Sequence, residues 1–195
     1  MACRLGRSFY RRPTLEVARD VIGMILVDNR DPRTVKQARI VEVEAYIGED
    51  DPACHAACGP TERNRPMYGV AGHTYIYLIY GMYHCLNFVT ERKGYPAAVL
   101  IRAAERKGDW PDEPENHIDS RALSGPGKLC RGYELDKRQS GLDLTEGPLY
   151  LRDGGSTPAV VETAPRIGVR LGAELPWRFF DPQSTAVSFK ARRVR

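Results

Sequence analysis

Two glutamates, Glu42 and Glu44, lie in the β-branched run of residues 38–46, which ends at Tyr46. Side chains of a strand alternate between faces, so Val41, Val43 and Ala45 share one face. Ile40, Glu42, Glu44 and Tyr46 fall on the other. An ordinary half-buried strand gives that second face to solvent. The alternative is a cleft lined by a carboxylate and an aromatic ring side by side. A carboxylate so placed can take a proton or face a developing positive charge. By spacing alone, either glutamate could serve as the base.

Other residues also carry chemistry. Cys54, His55 and Cys58 sit close together, and a helix would bring the two thiols to one side. Zinc sites usually supply two pairs of ligands at short spacing, and Cys85 and Cys130 are isolated, so buried thiols are expected and no metal site. In Ser124-Gly125-Pro126-Gly127-Lys128-Leu129, Ser124 reads as a helix cap and Pro126 as a first-turn residue. Helix N-termini bind phosphate, and Lys128 would assist. The segment is not a P-loop, because that motif needs Gly where Ala122 stands and Ser or Thr where Leu129 stands.

The elements that must position these residues read as follows. A helix is expected over residues 15–22, with Thr14 as its starting signal and Gly23 as its stop. Short strands follow at 24–28 and 38–46, then strands at 74–80 and 83–90. Between the last two stand Gly81 and Met82, a Gly-X pair that favours a tight type II′ hairpin. Tyr80 and Tyr83 flank that tip. Large apolar groups there either fold back on the domain or act as a wedge. Residues 97–104 give a further strand with Leu100 and Arg102 on one face, and 149–152 and 166–171 give two more. Strands outnumber helices and the hairpins are antiparallel, so the class is α+β.

A chain of 195 residues with 42% hydrophobic residues is long enough for a real core and too apolar to be disordered. The net charge of +4 is small, and its distribution says more. Residues 1–12 hold Arg4, Arg7, Arg11 and Arg12 without an acid, the last six residues hold four positive charges, and residues 109–119 are acidic and broken by prolines. Such segregation suits an anionic partner, nucleic acid foremost. The other reading is solvated surface and frayed termini. The opening MACRLGRSFYRRP has no apolar run behind its charges, so it does not read as a signal peptide. Residues 66–90 lack Asp, Glu, Lys and Arg but hold two histidines and five tyrosines, so no membrane span is expected there. Five cysteines, an odd number, suggest reduced thiols in an intracellular protein.

Five segments in order carry a resemblance: RIVEVEAYIGEDDPACH from Arg39, RNRPMY from Arg63, TYIYLIYGMYHCLN from Thr74, VLIRAAE from Val99 and SGPGKL from Ser124. Together they span about half the chain, and they resemble the alkyladenine (3-methyladenine) DNA glycosylases of the single-domain type. The resemblance implies one domain over residues 1–195. It would hold a mixed, mostly antiparallel curved sheet, flanking helices and a protruding β-hairpin. The implied activity is hydrolysis of the N-glycosidic bond of alkylated purines in double-stranded DNA, with deaminated or etheno-bridged purines as further substrates. No lysine is placed as a Schiff-base nucleophile, so the implied enzyme is monofunctional and leaves an abasic site uncut.

Residue by residue, the resemblance makes Glu44 the general base that activates water, and Arg102 a side chain that helps hold that water or a neighbouring phosphate. Tyr46 becomes one wall of the base pocket, with His55 and Tyr77 opposite. A pocket of rings selects electron-poor, cationic purines. Tyr75 and Tyr68 read as packing residues, and His73, His84 and His117 as ordinary histidines. Tyr80 matches the intercalating residue, with Met82 beside it, and such a wedge offsets part of the cost of extruding a base. Asn87 would crowd the 2-amino group of guanine, and Val169 would contribute its carbonyl. Arg63, Arg65, Tyr83 and Lys128 are DNA-contact candidates. Residues 107–120 depart from the family, which more often has a longer helical link there. No cofactor is implied. A monomer is expected, in the cytoplasm of a bacterium. The rival classes are a non-catalytic nucleic-acid-binding module of the same fold and a zinc protein built on Cys54, His55 and Cys58.

Overall fold

The computed structural model describes residues 3–108, 110, 119–155 and 158–188. A short helix α1 (Arg7–Tyr10) precedes α2 (Thr14–Val21). Strands β1 (Ile25–Asp28) and β2 (Lys36–Ile47) follow, then the hairpin of β3 (Thr74–Ile79) and β4 (Tyr83–Val89), and the long β5 (Ala97–Lys107). Helix α3 (Pro126–Gly132) comes next, then β6 (Leu149–Arg152), β7 (Glu162–Ala164) and β8 (Arg178–Phe180). These strands form one curled sheet in the order β3-β4-β5-β2-β1-β6, with β8 on β2 and β7 on β8. Every ladder between them is antiparallel. The α+β class holds.

Strand β2 is the axis of the sheet. One edge pairs with β5 along its length; the other pairs with β1 at Lys36–Arg39 and with β8 at Glu42–Glu44. The register to β5 shifts between Ile40 and Glu42 and again at Val43. Such a bulge resets which side each residue faces. The strict alternation expected from the sequence is therefore corrected. Ile40 joins Ala38, Val43 and Ala45 in the main core, whereas Val41 packs in a smaller cluster with Ala103 and Phe180. Glu42, Glu44 and Tyr46 still keep the same parity.

Helix α2 covers the core face of the sheet. Val17, Ala18 and Val21 are fully buried while Glu16 and Asp20 point outward, the spacing of an amphipathic helix. Burying each of the two valines stabilises by about 1.5–3 kcal/mol. Thr14 is the first helical residue. Its N–H donates to Glu91 Oε1 at 2.8 Å, so a distant carboxylate satisfies this end of the helix.

Four further expectations are corrected. Residues 166–171 form no strand. Gly168 has φ of 77°, outside the extended region, and strand pairing falls instead to Glu162–Ala164 and Arg178–Phe180. Gly125, not Ser124, is the N-cap of α3, with φ of 122° that a side chain would strain. Cys54 and Cys58 do not face one way: Cys54 is buried and Cys58 exposed at the two ends of the 3-10 turn His55–Cys58. Three of the four N-terminal arginines are engaged and form no free basic face, since Arg7 pairs with Asp143, Arg12 with Asp20, and Arg4 lies over Tyr150. The acidic segment 109–119 falls almost wholly outside the described residues, as do His117 and the basic stretch 190–195. No described helix is long and apolar enough to cross a membrane.

Candidate active site

The β3–β4 hairpin, β5, α3 and the loop before β8 enclose a cavity of about 610 Å³. Its walls include Tyr46 from β2, His55 from its 3-10 turn, and Tyr75 and Tyr77 from β3. Asn87, Leu100 and Arg102 line it from β4 and β5. Ile167, Gly168 and Val169 close one side, and Tyr80, Tyr83, Lys128 and Arg131 reach it from the hairpin end and α3. Of the sequence candidates, Glu44, Arg63, Arg65 and Met82 do not line this cavity. Arg63 sits 5.5 Å over the Tyr77 ring and donates to the Leu78 carbonyl; Arg65 is ion-paired with Glu62.

Glu44 lies behind the wall with no exposure at all. Tyr46 O–H donates to its Oε2 at 2.8 Å, the Ile167 N–H donates to Oε1 at 2.7 Å, and Arg102 Nη1 is 3.2 Å from Oε1. All three donors come from residues that line the cavity, so Glu44 lies directly behind its wall. Glu42 is equally buried but turned elsewhere. Its oxygens take Arg178 Nη1 at 2.9 Å and the Ser188 N–H at 2.7 Å, with Arg102 Nε 3.3 Å away. The two glutamates that spacing left equivalent are therefore distinguished by their partners. Burial pulls the Arg102 guanidinium down, yet Glu44 and Glu42 outweigh it and leave it above its ordinary value. Burial, then the Glu44 carboxylate, raises the Tyr46 phenol, so this hydroxyl stays a donor.

The rings are fixed from outside. His55 meets Tyr77 edge-on at 4.3 Å between centroids, and its Nδ1 shares a hydrogen bond of 2.9 Å with the Tyr75 hydroxyl. Tyr75 is thus a buried packing residue that also orients the wall, while Tyr68 binds Glu49 away from it. Burial, then the Arg63 charge, holds the His55 imidazole below its ordinary value. Asn87 donates its amide nitrogen to the Tyr75 and Cys85 carbonyls at 3.0 and 3.2 Å, leaving its carbonyl oxygen for the cavity. Tyr83 packs over Gly127, where a Cβ would meet the ring at 2.9 Å.

The hairpin tip stands out from the body. Tyr80 is 78% and Met82 66% exposed, so neither folds back. Its turn differs from the expected type. The Met82 N–H donates to the Ile79 carbonyl, and Tyr80 and Gly81 have φ of 52° and 70°, the signs of a type I′ turn with those two at its centre. Sequence reasoning missed Asp51, Arg166 and Arg131. The first two form an ion pair with both side chains fully buried, and no local sequence signal marks it. Among the described residues, no three His, Cys, Asp or Glu side chains gather as a metal cluster.

Fold and site first define a class: a small antiparallel-sheet protein with a ring-lined cleft over a buried carboxylate. Residues 8–185 match the family model described as methylpurine-DNA glycosylase. A protein of Methanocella arvoryzae is 50% identical over 200 residues, covering 96% of each chain. One of Sodalis glossinidius is 47% identical, covering 90% of this chain and 95% of its own, and one of Chlorobaculum parvum is 46% identical, covering 95% and 90%. All three carry a provisional name as 3-methyladenine DNA glycosylases. The chain belongs to the methylpurine-DNA glycosylase family.

Proposed function

We propose that this DNA glycosylase extrudes alkylated purines from duplex DNA and hydrolyses their N-glycosidic bond, leaving an uncut abasic site. The observation that carries the reading is Glu44, held by Tyr46, Arg102 and the Ile167 N–H directly behind a cavity walled by Tyr46, His55 and Tyr77. Tyr80, with Met82, enters the stack that the base vacates, while Lys128, Arg63 and Tyr83 contact the backbone. The flipped purine lies between Tyr46 and the His55–Tyr77 pair. Oε1 of Glu44 already takes two donors and Oε2 one, so Oε2 keeps capacity for the proton of an attacking water. The negative charge also faces the oxocarbenium-like sugar as the bond breaks. An alkylated base is cationic and leaves without prior protonation. The Asn87 oxygen and the Val169 carbonyl define the edges of the slot. The same slot takes deaminated or etheno-bridged purines.

The test is excision from labelled duplexes that each carry one damaged purine, followed by alkali. Strand breaks are expected only after alkali and only at damage. Glu44→Gln should lower the rate about a hundredfold or more while damaged-DNA binding persists. Tight binding without product on any lesion would instead identify a non-catalytic binding module.

A further inference from the structure

The Tyr46 wall has a charged group behind it. The Arg166 guanidinium lies 4.7 Å from the Tyr46 ring centroid and 5.1 Å from that of Trp177. Its side chain is fully buried and it does not line the cavity, whereas Tyr46 does. The Asp51 carboxylate holds it bidentately, at 2.6 Å to Nη1 and 2.8 Å to Nη2, and Nη1 also donates to the Ala45 carbonyl at 3.0 Å.

This pair ties together three parts of the slot. Asp51 accepts the Ile47 and Ala53 N–H groups at 3.2 and 3.0 Å, and its carbonyl accepts the Cys54 N–H, which starts the turn carrying His55. Arg166 directly precedes Ile167, whose N–H holds Glu44. One ion pair therefore braces the Tyr46 ring, the His55 turn and the loop to Val169.

We propose that Arg166, paired with Asp51, is a specificity-determining positioning residue. Its guanidinium behind Tyr46 moderates the pull of that ring on a cationic base, and so sets the balance between cationic and neutral lesions. This rests on the purine-pocket reading above. The physical reason is that the negative face of an aromatic ring attracts a cation, and a second cation behind the ring opposes that attraction. Asp51 cancels part of the opposing charge. Removing Asp51 alone should thus exaggerate the effect, and neutralising both residues should abolish it.

The experiment measures affinity for two duplexes, one with cationic 7-methylguanine and one with neutral ethenoadenine, in the Glu44→Gln background so that no base is lost. The readout is the preference for the cationic lesion. Asp51→Asn should lower that preference about threefold, and Asp51→Asn with Arg166→Gln should raise it about threefold above the parent. Arg166→Lys, which keeps the charge, should stay near the parent and serves where the double variant does not fold. Opposite signs cannot come from a loosened pocket. Equal losses for both lesions, or an unchanged preference in Asp51→Asn with a native melting profile, would overturn the proposal. Excision of 7-methylguanine by the wild type is run alongside; its absence would strike the function reading itself and not this pair.

Discussion

In the function proposed above the His55 wall faces a cationic purine, so its own charge state matters. Burial, then Arg63, depresses the imidazole below 6.5, so His55 is neutral at neutral pH and gains its proton only in acid. Folding favours the neutral ring, so its contribution to stability is complete above pH 6.5 and is lost as pH falls below that value. Affinity for a 7-methylguanine duplex should therefore fall on acidification below pH 6.5, as two cations are brought together. Arg63→Ala removes the second cause, and the midpoint of that fall should move to higher pH. A titration by fluorescence anisotropy decides it, and an unmoved midpoint would remove Arg63 from the account. At this scale much was legible. Glu44 sits beside Tyr46 because strand parity places them on one face, whereas the direct contact of Arg102 with Glu44 joins two strands and no single-strand pattern gives it. Asp51 and Arg166 were not legible. They lie 115 residues apart, and no local pattern pairs two charges that meet only through tertiary packing.

At the scale of elements, the hairpin tip holds a specific conflict. Tyr80 adopts φ of 52°, a left-handed conformation that costs a residue with a side chain about 1–2 kcal/mol. A ring kept there despite that cost, and left 78% exposed, fits a wedge more than a packing residue. Tyr80→Gly should relieve the strain and leave thermal stability unchanged or about 1 kcal/mol higher. The same variant should lose about tenfold or more in excision from duplex DNA, with a smaller loss on single strands, where no stack needs filling. Equal losses on both would mean that Tyr80 serves the pocket and not the stack. The hairpin itself was readable from its tyrosine-rich alternation, but its turn type was not. Gly81 marks a positive φ without saying which neighbour shares it. The bulge in β2 was hidden for a related reason. Ile40, Val41 and Val43 are all buried, so hydrophobicity could not show where the alternation slips.

For the whole molecule, the net charge of +4 decides little, and the placement of each cation decides more. The basic N-terminal run suits an anion-facing patch or solvated surface by its charge alone, yet Arg7 and Arg12 tie α1 and its neighbours to the body. Charge counts cannot tell a solvated arginine from one already paired. The fold class was legible because strand number and hairpin spacing survive local errors of register. The DNA-facing surface is better read from cations at the cavity mouth that lack a carboxylate partner within bonding distance. Among the described residues Lys128 has only the Arg121 carbonyl, at 3.4 Å, and Arg131 is likewise exposed on helix α3 at the cavity. Each phosphate neutralised adds about −0.9 to the slope of log affinity against log salt. Lys128→Ala should therefore make that slope shallower by about 1, and Arg131→Ala by a similar amount. Arg65 is as exposed but paired with Glu62, so Arg65→Ala should leave the slope unchanged. Affinities over a salt series on undamaged duplex separate the two groups. Equal slope changes for Lys128→Ala and Arg65→Ala would mean that DNA follows total charge and not the rim of the cavity.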